Sequence, residues 1–145
     1  MTDTELLDLA DRFAENSTCL GVKVGAVITR EGLVTAVGWN RQPYGVDTCE
    51  NRGHCSEPGH TCLTQDAASL AIHAEIVALG CAAQSGITVK GGTLFVTHRP
   101  CFNCLKSAVA NGIRKVVWRG EDYELASPIR SWASAVLVLE RYPRT

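Results

Sequence analysis

Between Thr4 and Glu15 the apolar residues Leu6, Leu9, Ala10, Phe13 and Ala14 recur three and four positions apart, which lines one face of an amphipathic helix. Asp3 or Thr4 is placed to cap it. The period then changes. Val22 to Thr29 and Leu33 to Trp39 are β-rich runs on either side of Arg30, Glu31 and Gly32, a spacing that predicts a hairpin. From Arg41 to Thr64, Pro43, Gly45, Gly53, Pro58 and Gly59 break any periodicity, and Cys49, His54, Cys55, His60 and Cys62 crowd together. A loop of that length in a small domain is functional or is held by something. Beyond it, Ala67 to Ala83 is alanine-rich and helical in propensity, with Gly86 closing it. Thr93 to Thr97 predicts a short buried strand. Pro100 to Asn111 predicts a helix with Pro in its first turn and Gly112 after its end, and Arg114 to Trp118 a further strand. Ser127 to Ala135 reads as a last short helix and Ala135 to Leu139 as a last strand, although Trp132 to Leu139 also suits a continued helix. Strands alternating with helices predict an α/β fold, a central sheet covered by helices, in a single domain over residues 1–145.

Composition narrows the possibilities. The chain has 145 residues, of which 46% are apolar, 20% charged and 6% aromatic, with a net charge of -1. A chain this long buries roughly 68 to 70% of its unfolded surface, enough for one core without staples. The near-neutral balance excludes the basic footprint of a protein that grips long nucleic acid by its phosphates. No apolar run approaches the roughly 20 residues of a membrane helix, and the acidic amino end does not resemble a signal peptide, so no membrane partner and a cytoplasmic location are expected. Seven cysteines, an odd number, argue against a disulfide framework and for metal binding or chemistry.

His73-Ala74-Glu75 followed by Pro100-Cys101-Phe102-Asn103-Cys104 supplies that chemistry. Two thiolates three apart at a helix start share a face, and the helix N-terminus lowers their pKa towards the form that a metal takes. With His73 they make a three-ligand zinc site whose fourth position stays open, the mark of a catalytic centre. A bound zinc lowers the pKa of water from 15.7 to about 7, and Glu75 is the general acid/base that would move the protons. In mid-helix, Glu75 would face away from His73. The chemistry therefore places the well-formed helix at His73 to Ala83, later than propensity suggests. A lone Cys-x-x-Cys suits a structural or redox site, but its conjunction with His-x-Glu matches the signature of zinc-dependent nucleobase deaminases.

On these residues the chain resembles the cytidine deaminase superfamily and, within it, the deoxycytidylate deaminases. Ser17-Thr18-Cys19, Val22 to Ile28, Gly38-Trp39-Asn40-Arg41-Gln42-Pro43-Tyr44-Gly45, Ala110 to Val117 and Tyr123 continue the likeness. The resemblance implies a three-layer α/β/α sandwich with a central mixed sheet of about five strands. It implies hydrolytic deamination of a cytosine nucleotide, deoxycytidylate to deoxyuridylate plus ammonia, by a homo-oligomer. It also implies that Asn40 hydrogen-bonds the sugar hydroxyl, that the Ala74 backbone touches the base and that Tyr123 lines the pocket. Lys23 and Arg41 are the nearest cations to these motifs and are candidates for a phosphate. Arg41 stands where the family has glycine, and the tail after Ala126 lacks the family's closing pattern.

Five cysteines remain. Some deoxycytidylate deaminases carry a second, structural zinc on cysteines matching Cys19 and Cys49, and Cys19, Cys49, Cys55 and Cys62 would make a closed site, with His54 and His60 as rival ligands. Cys81, in an alanine-rich helix, is expected in the core. Two other functions compete with deoxycytidylate deamination. One is deamination of a free nucleoside, nucleobase or related aminopyrimidine or aminopurine; the other is a zinc-stapled binding module without activity. The presence of Glu75 argues against the module, because a structural zinc needs no general base.

Overall fold

The structure is a computed structural model and describes residues 1–53 and 70–144. Its elements are α1 (Asp3–Ala14), β1 (Gly25–Arg30), β2 (Leu33–Trp39), α2 (Cys49–Arg52), α3 (Ala74–Gln84), β3 (Thr93–Val96), α4 (Phe102–Ala110), β4 (Lys115–Arg119), α5 (Pro128–Val136) and β5 (Val138–Tyr142). The strands form one sheet in the order β2-β1-β3-β4-β5. β1 is antiparallel to both its neighbours, and β3, β4 and β5 run parallel. The sheet is mixed and five-stranded, as the resemblance implied.

Side chains alternate across it with the strand period of two. Ala26 and Ile28, Leu94 and Val96, and Val116 and Trp118 pack into the cluster shared with α3, α4 and α5. Val27, Phe95 and Val117 face Leu6, Leu7 and Ala10 of α1 on the other side. Three layers result. The residue that caps α1 is Thr2, not Asp3 or Thr4. Its side chain accepts from the Glu5 backbone N–H, and the Glu5 carboxylate accepts from the Thr2 N–H, a reciprocal pairing that satisfies two donors.

The hairpin needs only two turn residues, Glu31 and Gly32, both with positive φ of 53° and 78°, which matches the twist of the flanking strands. β1 starts at Gly25 rather than Val22. The reason is Asn40: its backbone N–H donates to the Val24 carbonyl and its side-chain oxygen accepts from the Val24 N–H, so Val24 has no groups left for a ladder. At the other end, Ser127 caps α5 and Pro128 opens it. The backbone turns extended at Leu137, and β5 pairs with β4 from Lys115↔Val138 to Arg119↔Tyr142. The tail is therefore helix then strand, and the strand runs three residues past Leu139.

Helices lie directly on the hairpin's backbone at two glycines. A Cβ on Gly25 would stand 1.9 Å from the Ala10 carbonyl oxygen in α1, and one on Gly38 would stand 2.6 Å from both the Ala74 carbonyl oxygen and the Ala78 nitrogen in α3. No side chain can move aside there, because backbone meets backbone. Gly38→Ala is expected to cost about 1 to 3 kcal/mol in a denaturant titration. Because the displaced helix starts beside His73, it is also expected to lower bound metal in the folded fraction.

Candidate active site

His73 is the N-cap of α3, with an extended backbone (φ -62°, ψ 145°). That is the condition under which His73 and Glu75, two apart, reach one place, and it bears out the later helix start. A backbone bridge holds the position: the Arg41 N–H donates to the Ile72 carbonyl at 3.1 Å, and the Ile72 N–H returns to the Arg41 carbonyl at 2.7 Å. Cys101 is likewise the extended N-cap of α4 (φ -71°, ψ 168°), and Cys104 sits in the first turn. Two helix N-termini thus converge, with their partial positive charge towards the sulfurs.

His73, Cys101 and Cys104 are the metal-capable group of three found among the described residues, with ligand atoms all within 4.8 Å of one another. The His73 Nδ1 lies 3.3 Å from the Cys104 Sγ and 3.5 Å from the Cys101 Sγ. Tetrahedral zinc, with bonds of about 2.3 Å to sulfur and about 2.1 Å to nitrogen, sets such donors about 3.6 Å apart. The donor set fits. Cys101 is pushed down to about 4, mainly by its hydrogen bond with Cys104, while that same bond and burial push Cys104 up. A divalent cation bound here would favour the deprotonated form of both sulfurs.

Glu75 is 4% exposed. Burial raises its pKa, and a hydrogen bond with Cys104 and the charge of His73 offset part of that rise. Its side chain lines a cavity of about 670 Å³ together with His73 and Cys101, a size that suits a small organic ligand. Tyr123 lines the same cavity. Its ring packs edge-on against the fully buried Trp118 at 5.3 Å, and its hydroxyl donates to the Pro100 carbonyl. Tyr123 therefore also anchors the residue before Cys101.

The remaining sequence candidates divide. Ala74 is fully buried, with its carbonyl against Gly38. Asn40 is fully buried too, and its side-chain amide donates to the Val22 carbonyl at 2.7 Å and accepts from Val24 at 2.9 Å. Val22 and Val24 line the cavity, so Asn40 holds its wall. Arg41 lies over the Tyr44 ring at 4.2 Å and lines a separate, smaller cavity with it. Lys23 is exposed, and neither Lys23 nor Arg41 is brought into the Glu75 cavity. Cys19 is buried, its N–H donating to the Ser17 hydroxyl. Cys55, Cys62, His54 and His60 lie outside the described residues, as does the side chain of Cys49. Cys81 is exposed, not in the core. Sequence reading missed four cavity residues, His98, Arg99, Arg119 and Arg144. For His98 and Arg99 a signal existed in their position just before Pro100-Cys101; Arg119 and Arg144 carried none.

A family model described as the cytidine and deoxycytidylate deaminase zinc-binding region matches residues 1–119. The chain is 30% identical over 159 aligned positions to the deoxycytidylate deaminase of Enterobacteria phage T2, covering 88% of this chain and 84% of that protein. It is 34% identical over 124 positions to the deoxycytidylate deaminase of Mycobacterium phage D29, covering 83% and 95%. Among solved structures it is similar to the dCMP deaminase of cyanophage S-TIM5 in complex with dCMP and dUMP, with a TM-score of 0.77, 28% identity and coverage of 96% and 95%. For the metal centre, Cys101→Ser and Cys104→Ser are each expected to remove one zinc per chain, read by elemental analysis of the purified protein. Retention of that zinc in either variant would reject the ligand set.

Proposed function

The chain belongs to the cytidine and deoxycytidylate deaminase family, and from that membership we propose that its site hydrolyses deoxycytidylate to deoxyuridylate and ammonia. The observation that carries this reading is the placement of Glu75, a buried carboxylate beside the His73, Cys101 and Cys104 donors in a cavity of ligand size. When bound by those three residues, zinc supplies a Lewis acid that makes water nucleophilic at neutral pH. Glu75 takes the proton of the attacking water and passes it to the ring nitrogen beside the attacked carbon. It then moves a second proton to the departing amino group, so that the carbon–nitrogen bond breaks, the carbonyl forms and ammonia leaves. The burial that raises its pKa suits it to return that proton. Phe102, Tyr123 and Ile129 give the cavity an apolar side, against which a flat base can pack with little water. A binding module has no use for a proton-carrying side chain at this position, whereas hydrolysis needs one.

A second zinc is part of the same proposal, held by Cys19, Cys49, Cys55 and Cys62. It is supported by the burial of Cys19 and by the start of α2 at Cys49, and the homo-oligomer is supported by the family likeness.

Two measurements test these readings. Glu75→Gln is expected to keep its zinc and its melting temperature while turnover of deoxycytidylate falls by about 10² to 10⁴; turnover within tenfold of the unaltered chain would end the assignment. Ammonia release from deoxycytidylate, deoxycytidine, cytosine, guanine and adenine ranks the substrates, and the nucleotide is expected first. For the second site, two zinc ions per chain are expected in a particle larger than one chain by light scattering, and Cys49→Ser is expected to lose one zinc and thermal stability. One zinc per chain in protein prepared without chelator would reject it.

A further inference from the structure

Besides the ligand His73, three arginines and one further histidine, Arg99, Arg119, Arg144 and His98, line the cavity that holds Glu75. The arginines are not equivalent. Arg119 is engaged with carboxylates, its guanidinium donating to Asp8 at 2.7 Å and to Asp11, and it is 16% exposed. It ties the end of β4 to α1. Among the described residues Arg99 meets no carboxylate: it donates to the Asp122 backbone carbonyl at 2.6 Å and lies over the Tyr123 ring at 5.3 Å. The Asp122 carboxylate is taken by Arg130 at 2.7 Å, with Arg141 at 4.0 Å. Arg144 donates to the Thr97 carbonyl and reaches a carboxylate only at 3.9 Å, that of Asp11, which Arg119 already holds. Arg119, Arg130, Arg141 and Arg144 thus share the carboxylates of Asp8, Asp11 and Asp122, and Arg99 adds a fifth positive charge in a wall where Glu121 also stands.

We propose that Arg99 and Arg144 bind the phosphate of the nucleotide, making them the specificity-determining residues of the site. The proposal rests on the deoxycytidylate reading. Both guanidiniums line the cavity that contains the base chemistry, and both donate to neutral carbonyls, contacts weaker than those with a dianion. The planar fork of each matches two phosphate oxygens at once. Arg144 comes from the chain's divergent tail, so the segment that departs from the family pattern contributes to the substrate wall. His98 stands beside Arg144 in that wall, and burial and then the Arg144 charge lower its pKa.

The test compares kcat/KM for deoxycytidylate and for deoxycytidine in the unaltered chain, in Arg99→Ala and in Arg144→Ala, with Lys at each position as the conservative variant. The unaltered chain is expected to prefer deoxycytidylate. Each Ala variant is expected to lower that preference by about 10- to 150-fold, the factor for one lost hydrogen bond to a charged group. Lys is expected to restore part of it, with the loss carried mainly in KM. A preference within about threefold of the unaltered chain's in either Ala variant, or an equal loss on both substrates, overturns the assignment while leaving deoxycytidylate as substrate. An unaltered chain that prefers deoxycytidine overturns the nucleotide reading, and this inference with it.

Discussion

Backbone meets backbone at Gly38. The strand that carries it and the helix that starts at Ala74 approach so closely that a Cβ there would stand 2.6 Å from the Ala74 carbonyl oxygen, and the location of the whole site follows from that contact. α3 cannot slide along β2 without a main-chain clash, and interiors packed this tightly transmit such displacements rather than absorb them. His73 is the residue immediately before that helix. The Arg41–Ile72 bridge restrains it from the other side, so the His73 backbone is held between two main-chain contacts.

Electrostatics completes what packing begins. Both ligand-bearing helices present their N-termini to one point, and there the chain concentrates two sulfurs, an imidazole and a carboxylate. The buried carboxylate raises the free energy of the cation-free site and favours a positive ion within it. Farther out the balance reverses, and arginines dominate the wall where Arg99, Arg119 and Arg144 stand. A single cavity therefore runs from an anionic floor suited to a metal to a cationic wall suited to an anion, a polarity that orients a substrate carrying its amino group at one end and its negative charge at the other.

Much of this was legible in the residues. Each strand and each of the four longer helices was foreseen in kind and order, with shifted bounds at β1, α3 and β5, and His73, Cys101 and Cys104 come together. The errors share a cause, which is that local pattern does not report long-range contacts. β1 was read as starting at Val22, and Asn40 prevents that by taking both backbone groups of Val24. Alanine-rich composition suggested a buried Cys81, but it is exposed although the buried Val77 and Ala78 stand four and three positions before it, near the end of α3. Lys23 and Arg41 are near the motifs in sequence, whereas the arginines that line the cavity arrive from the residue before Pro100, from the end of β4 and from the tail. Charge that converges from three separate segments has no signature in any window of the chain.

The placement of the ligands on either side of β3 also bears on how the molecule is assembled. A chain made from its N-terminus can form α1 and the β1–β2 hairpin from near neighbours, since those contacts are local. The metal centre draws one donor from the segment entering β3 and two from the segment leaving it, so it cannot exist until the middle strand has been inserted beside β1. Metal binding therefore adds its free energy to the step with the largest entropic cost, the insertion of that strand. Metal supply therefore bears on the stability of the assembled sheet as well as on catalysis.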